Sequence, residues 1–306
     1  MTHTQRRCVA SVLGVALTAA IAGVALPHAQ EGGTRAIVPE AFLKARPAPK
    51  TPSATPRRQA SYRPVDPAKP STGTDGGATV ELGITIWRLR AAKPGEPARL
   101  LVQDPNAAAQ ELTPERIGVG TPLAISDRVR LSVESPRAGY LYVIDREQYA
   151  DGTLGSPYLV FPTLRTRGGD NRVTGGRLID IPAQDDRPPY FTVKPSRADQ
   201  TGERLTLVVT ETPLAGLAIG SDPLELSPQQ VADWESRGGG AVQRLEMIGG
   251  AGRAWSRAEQ RAAADATRLL TQEDPPPQTL FRILVRQPDL VVVNVTLPQS
   301  RGPLKK

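Results

Sequence analysis

Cysteine and histidine are almost missing from this chain of 306 residues, which has one Cys (Cys8) and two His (His3 and His28). Past residue 28 there is neither a thiol nor an imidazole. That excludes disulfides, cysteine proteases, Ser-His-Asp hydrolases, zinc fingers and His-ligated metals from the rest of the chain. Lysine is also scarce: between residues 78 and 300 only Lys93 and Lys194 occur. No Gly-x-Ser-x-Gly and no Ser-x-x-Lys is present. A serine nucleophile would therefore have almost no base to activate it. Long apolar runs are missing as well, with one exception at the start of the chain.

That exception reads as a leader. Arg6 and Arg7 precede an uncharged stretch, residues 8–26, rich in Ala, Val and Gly. Small residues follow, and the pattern is that of a secretory signal peptide over 1–29, cleaved after Ala25 or after Ala29. Cys8 precedes the apolar run instead of ending it, which argues against a lipoprotein anchor. No Phe-Leu follows the paired arginines, as a twin-arginine signal would require. The competing reading is an uncleaved anchor, since 19 apolar residues almost span a bilayer. After cleavage no membrane span is expected.

The formal charge of +7 is unevenly placed. Residues 30–77 hold eight bases against four acids, whereas residues 78–306 hold 28 bases against 27 acids. The main body thus lacks the excess that would release counterions from a phosphate backbone, and no nucleic-acid partner is expected. Between residues 39 and 77 eight prolines alternate with Ala, Ser, Thr, Arg and Lys. Apolar surface is too sparse there to offset chain entropy, so 30–77 reads as a disordered, Pro-rich basic tether. A short helical patch at Ala41, Phe42 and Leu43 interrupts it.

From residue 78 the chain alternates apolar and polar residues in short runs. Residues 80–89, 127–135, 140–144, 158–161, 178–181, 190–193 and 204–210 read as strands, with turn chemistry every 8–15 residues. Residues 99–102 read as a return strand after the turn at Pro94 and Gly95. Helices are expected later. One spans 227–236, behind Ser227 and Pro228. Another spans 256–270, opened by a capping box of Ser256 and Glu259. Residues 279–285 and 290–297 are strongly β-branched and suggest a hairpin about Gln287, Pro288 and Asp289. The second of these is apolar on both faces and is expected to be a central strand. The fold class is therefore mainly β: one β-sandwich-like antiparallel domain over 78–306, with a mixed α/β C-terminal extension.

Arg130, Leu131, Ser132, Val133, Glu134 and Ser135, followed by Gly139, Tyr140, Leu141, Tyr142, Val143 and Ile144, resemble the opening of the DUF4384 family. Asp151-Gly152, Leu159 to Pro162, Asp170-Asn171, Gly175-Gly176 and Ile181-Pro182 continue the resemblance, which covers roughly 115–215. The family carries no established activity. Its members often look extracytoplasmic or sit beside protease-like or kinase-like domains, and no such catalytic domain accompanies the motif here.

Carboxylates are the remaining acid–base groups. Asp145, Glu147, Asp151, Asp170 and Asp180 fall between or near strands, and a paired-carboxylate glycan hydrolase would draw on them. Asp151-Gly152 and Asp170-Asn171 are also what turns use. A calcium site could draw on the same loops, although their spacing is not that of an EF-hand. Gly249, Gly250 and Gly252 precede a helix start but lack the Lys-Ser/Thr of a P-loop. Tyr140, Tyr142, Tyr149, Tyr158 and Phe161 fall within 22 residues, a cluster able to stack on sugar rings or dock a partner. The candidate binding residues are Tyr140, Tyr142, Tyr149, Tyr158, Asp145, Asp151, Asp170 and Asn171, with no catalytic residue, metal or cofactor expected. The reading is a secreted or periplasmic non-enzymatic binding or scaffold module for an envelope protein or polymer. Its alternatives are the glycan hydrolase and a membrane-anchored display module.

Overall fold

The computed structural model describes residues 39–49, 60–65, 78–96, 99–104, 107–265, 267–285 and 289–300. The expected leader, 1–29, and residues 66–77 at the end of the expected tether lie outside the described residues. In chain order the elements are α1 (Glu40–Lys44), β1 (Tyr62–Pro64), β2 (Ala78–Ala91), β3 (Leu100–Asp104), β4 (Ala107–Ile117), β5 (Arg128–Glu134), β6 (Gly139–Tyr149) and β7 (Tyr158–Phe161). They continue with β8 (Arg172–Val173), β9 (Leu178–Ile181), β10 (Phe191–Thr192), β11 (Gln200–Thr210), β12 (Leu224–Glu225), α2 (Pro228–Gly238), β13 (Ala241–Met247), α3 (Arg257–Ala264), β14 (Thr279–Val285) and β15 (Leu290–Pro298).

The fold is mainly β, as the alternation implies, and its strands form two antiparallel sheets. The first is organised on the long strand β2. One edge of β2 pairs with β5. The other edge is shared end to end, by β14 along the first half and β4 along the second. β13 and β1 extend the sheet beyond β14, β3 extends it beyond β4, and β9 and β10 pair with β5. The second sheet runs β12-β7-β6-β11-β15, with β8 on β6. The main core lies between them. Leu82, Ile84 and Ile86 of β2 and Leu131 and Val133 of β5 meet Leu141 and Val143 of β6, Leu205, Leu207 and Val209 of β11, and Val291, Val293 and Val295 of β15. Period-two alternation is what directs these residues to one face.

Both outer faces are covered. α2 lays Val231 and Trp234 on the second sheet, against Tyr142, Ile144, Val208, Leu290 and Val292. The outer face of the first sheet carries Trp87, Leu89, Leu112, Tyr190 and Trp255 in one cluster, and Phe42, Tyr62, Leu245 and Leu280 in another. Polar residues share this face. Trp87 Nε1 donates to Ser132 Oγ at 2.8 Å, and Ser132 donates on to Asp180 at 2.5 Å. Arg130 Nη2 reaches Asp180 Oδ2 at 3.1 Å.

Five expectations are corrected. Parts of the 30–77 tether belong to the fold: Phe42 is buried in α1, Tyr62 is buried in β1, and Arg46 is buried against Glu134 in a two-pronged ion pair of 2.6 and 2.7 Å. A few well-placed apolar and ionic anchors suffice where average composition argues for disorder. Among the described residues β15 is an edge strand, not a central one: it pairs with β11 alone, and its second apolar face is covered by α2. β14 and β15 form no hairpin, since they lie in different sheets; the expected turn residues Gln287 and Pro288 lie outside the described residues. The second helix stops at Ala264, short of 270. There the Asp265 carboxylate accepts from Thr267 N and Oγ1 at 2.8 and 2.6 Å, a local bond that competes with helix continuation. The capping box at its start is present, with Ser256 Oγ accepting from Glu259 N and Glu259 Oε2 accepting from Ser256 N.

β3 pairs with β4 and not with β2, so the 99–102 segment is no direct return strand. β4 itself, Ala- and Glu-containing, has little intrinsic strand preference. Partners on both sides hold it extended.

Candidate functional site

Inward alternation along β6 and β11 does not stay apolar to the end. On β6 the row Leu141, Val143 continues as Asp145 and Glu147. On β11 the row Val209, Leu207, Leu205 continues as Glu203. The register pairs Asp145 with Leu205 and Glu147 with Glu203. Three carboxylates thus occupy positions that the core pattern assigns to hydrocarbon. They mark one end of the sandwich, where a cavity of about 200 Å³ opens between the sheets. Its walls are mostly apolar and include Leu131, Val160, Phe191, Val193 and Leu297; Thr192, Asp145 and Glu203 add its polar groups.

Asp145 and Glu203 stand in hydrogen-bonding contact with each other. Two carboxyl groups make such a bond only when one holds a proton. Burial, more than any other cause, pushes Asp145 up to about 6, and the neighbouring Glu147 adds to the push. Burial likewise pushes Glu203 up to about 8, reinforced by the charges of Asp145 and Glu147. The two titrate as a unit that retains about one proton near neutrality. Gln200 Nε2 donates to Glu203 Oε1 at 2.6 Å. Asp145 Oδ1 and Glu203 Oε2 are closed off from solvent and, the shared proton aside, meet no N–H or hydroxyl donor among the described residues. Glu147 is better served, since Tyr149 Oη and Ser196 Oγ both donate to its Oε2 at 2.6 Å.

Of the residues singled out from sequence, only Asp145 lines this cavity, and Tyr149 adjoins it through Glu147. The Tyr149 ring lies under the Arg197 guanidinium at 3.9 Å. The hydrogen bond to Glu147 raises its hydroxyl above the usual tyrosine value. Tyr142 is buried beneath the 211–226 segment and its hydroxyl accepts from Leu214 N at 2.9 Å. Tyr140, half-buried on the same face, lines a separate open groove with Arg172 and Glu211. Tyr158 is exposed. Asp151 sits in an exposed turn and accepts from Thr153 N and Oγ1, bonds that lower its carboxyl. Asp170 caps a turn. Partial burial opposes ionisation there, but hydrogen bonds from Arg172 win and lower its carboxyl. Asn171 is a staple, its Nδ2 donating to Leu141 O at 3.0 Å. The cluster proposed from sequence is therefore dispersed over both ends of β6.

Glu203 was not among the sequence candidates. The signal was present: Glu203-x-Leu205-x-Leu207-x-Val209 puts a carboxylate on the apolar row. The glycine loop at 249–252 offers no phosphate cradle, because Gly250 N and Gly252 N are already bonded to Met247 O and Arg116 O. Among the described residues no group of three or more His, Cys, Asp or Glu is placed to hold a metal ion. Nor is any helix among them long and apolar enough to cross a membrane.

Fold and site together define a two-sheet antiparallel sandwich with a carboxyl-bearing cavity at one end. Comparison with family models, curated proteins and solved structures finds no match to this chain.

Proposed function

We propose that the protein is a secreted or periplasmic, non-enzymatic binding module of the DUF4384 type, and that its ligand site is the cavity between the sheets. The observation that carries this is the placement of Asp145 and Glu203 on inward rows where leucine or valine would stabilise the fold more. Burying carboxyl groups without full hydrogen bonding costs free energy. A cost retained at the mouth of an apolar cavity is the pattern of a binding site, in which a few polar groups orient a ligand held by hydrocarbon walls. The leader pattern and the lack of thiols and imidazoles past residue 28 support export and a non-catalytic role.

The glycan-hydrolase alternative draws less support. Retaining and inverting glycosidases separate their carboxyl groups by about 5 Å or more, leaving room for a sugar or a water. Asp145 and Glu203 touch, and Asp180 is tied to Arg130 and Ser132 on the far face of the first sheet.

The test is a titration of isotope-labelled protein with toluene, a neutral molecule of matching size, followed by amide chemical shifts. Shifts centred on residues 143–145, 191–193 and 203–205 are expected. An unchanged spectrum up to the solubility limit, or shifts scattered over the surface, would remove the cavity as the site.

A further inference from the structure

The polar groups of the cavity are all of one kind, and this narrows the ligand. Resting on the reading of the cavity as the ligand site, we propose that it takes a small primary ammonium ion with an apolar body, its charged nitrogen seated between Asp145 and Glu203.

Three features of the geometry lead there. The first is size. A cavity of about 150 Å³ accommodates benzene, so the 200 Å³ here fits a ring or short chain with one polar end. The second is sign. Asp145 and Glu203 are the charged residues among those lining the cavity, and Glu147 adds a third carboxylate beside them. The nearby cations are turned elsewhere. Arg146 donates to Gly155 O, Arg197 is paired with Asp199 at 2.7 Å, and Arg128 and Arg130 lie over the rings of Tyr190 and Trp255 on the outer face of the first sheet. A carboxylate or phosphate ligand would meet only repulsion. The third is valence. Apart from the proton they share, Asp145 Oδ1 and Glu203 Oε2 meet no N–H or hydroxyl donor, and an ammonium supplies three. A hard divalent cation would need six or more oxygen ligands, which the valine, leucine and phenylalanine walls do not offer.

Occupancy has a proton balance. The free site holds one proton shared between its two carboxyls. The ammonium replaces that proton, which leaves for solvent, and both carboxylates end ionised around the new charge. Binding is thus competitive with protons. Affinity rises with pH until the ligand itself deprotonates.

Calorimetry with phenethylammonium chloride, using 2-phenylethanol as its neutral counterpart, tests this. In two buffers of different ionisation enthalpy near pH 7, phenethylammonium should bind with release of up to about one proton. Its affinity should be at least about a hundredfold weaker at pH 5 than at pH 8, since release of one proton is worth about tenfold per pH unit, and 2-phenylethanol should bind about tenfold more weakly than the ammonium at pH 8. Glu203→Gln should shrink the preference for ammonium over alcohol, and Asp145→Asn provides the same comparison if the first variant does not fold. The pH series on the unaltered protein needs no variant. Equal, pH-independent binding of both compounds would overturn the ammonium assignment and leave the cavity as the site. If neither compound binds and toluene also leaves the amide spectrum unchanged, the cavity reading falls with it.

Discussion

Replacing Glu203 with Gln should stabilise the protein in alkaline solution and leave it nearly unchanged in acid. Gln is close in shape to the protonated acid and keeps a donor for Asp145, so little is lost while Glu203 would be protonated. The folded chain holds the Asp145 and Glu203 protons more tightly than the unfolded chain does, because both groups are pushed up, to about 6 and about 8. Between the ordinary carboxylate range and about 8 the folded state therefore binds more protons than the unfolded state. Stability is highest at the acid end of that window and falls as pH rises through it. Moving Glu203 from 4.5 to about 8 sets an upper bound of about 5 kcal/mol on its share. The cavity is open to water at its mouth, and halving the figure for screening leaves about 2 kcal/mol. For a domain of this size that corresponds to a Tm difference of about 4–8 °C. The assay is a set of thermal melts of both proteins from pH 5 to 9. The curves should nearly coincide near pH 5, diverge progressively up to about pH 8 and stay apart above it, with the variant higher. A constant offset across the range would refute the shared-proton account.

Two further outcomes follow from the outer face of the first sheet. Arg46→Ala strands the buried Glu134 carboxylate and should cost about 3–5 kcal/mol in urea unfolding, while Arg46→Met combined with Glu134→Leu should recover most of it; a loss below about 1 kcal/mol would mean the 39–49 segment is not docked in solution. Gly83→Ala places a methyl group 2.6 Å from Pro277 Cγ and 2.8 Å from Phe42 Cζ, and should destabilise by about 1–3 kcal/mol through displacement of both; in protein lacking residues 39–49 the penalty should shrink, read from the same denaturant midpoints.

Much of the sandwich is legible in the sequence because its strands either alternate apolar with polar residues or are rich in β-branched and aromatic ones. β2, β5, β6, β11 and β14 all announce themselves this way. What alternation does not reveal is the partner. The β14 and β15 segments look like a hairpin, yet they belong to different sheets. The double-sided hydrophobicity of β15 reflects a covering helix, a cause that sequence cannot separate from a central position. The short helical patch at 41–43 is legible and forms α1, but its docking is not; β1 is too short to outweigh its Pro- and Arg-rich surroundings, and only the buried positions of Phe42, Arg46 and Tyr62 disclose the role of both. The site was half legible. Asp145 stood out as a carboxylate in a β-branched and aromatic strand. Its partner lies 58 positions later and meets it only through the β6–β11 register. The tyrosines were conspicuous by their crowding along the sequence. Spread over the two faces and both ends of β6, they do not converge.

The docking of Phe42, Arg46 and Tyr62 makes the stretch ahead of the sandwich a mechanical fastening. A pull on the polypeptide from its N-terminal side would first strip α1 with its guanidinium clasp. β1 would peel from β13 next, and β2 would bear load only after both had let go. Tension would thus be absorbed in stages while the sheets and the cavity between them stayed whole.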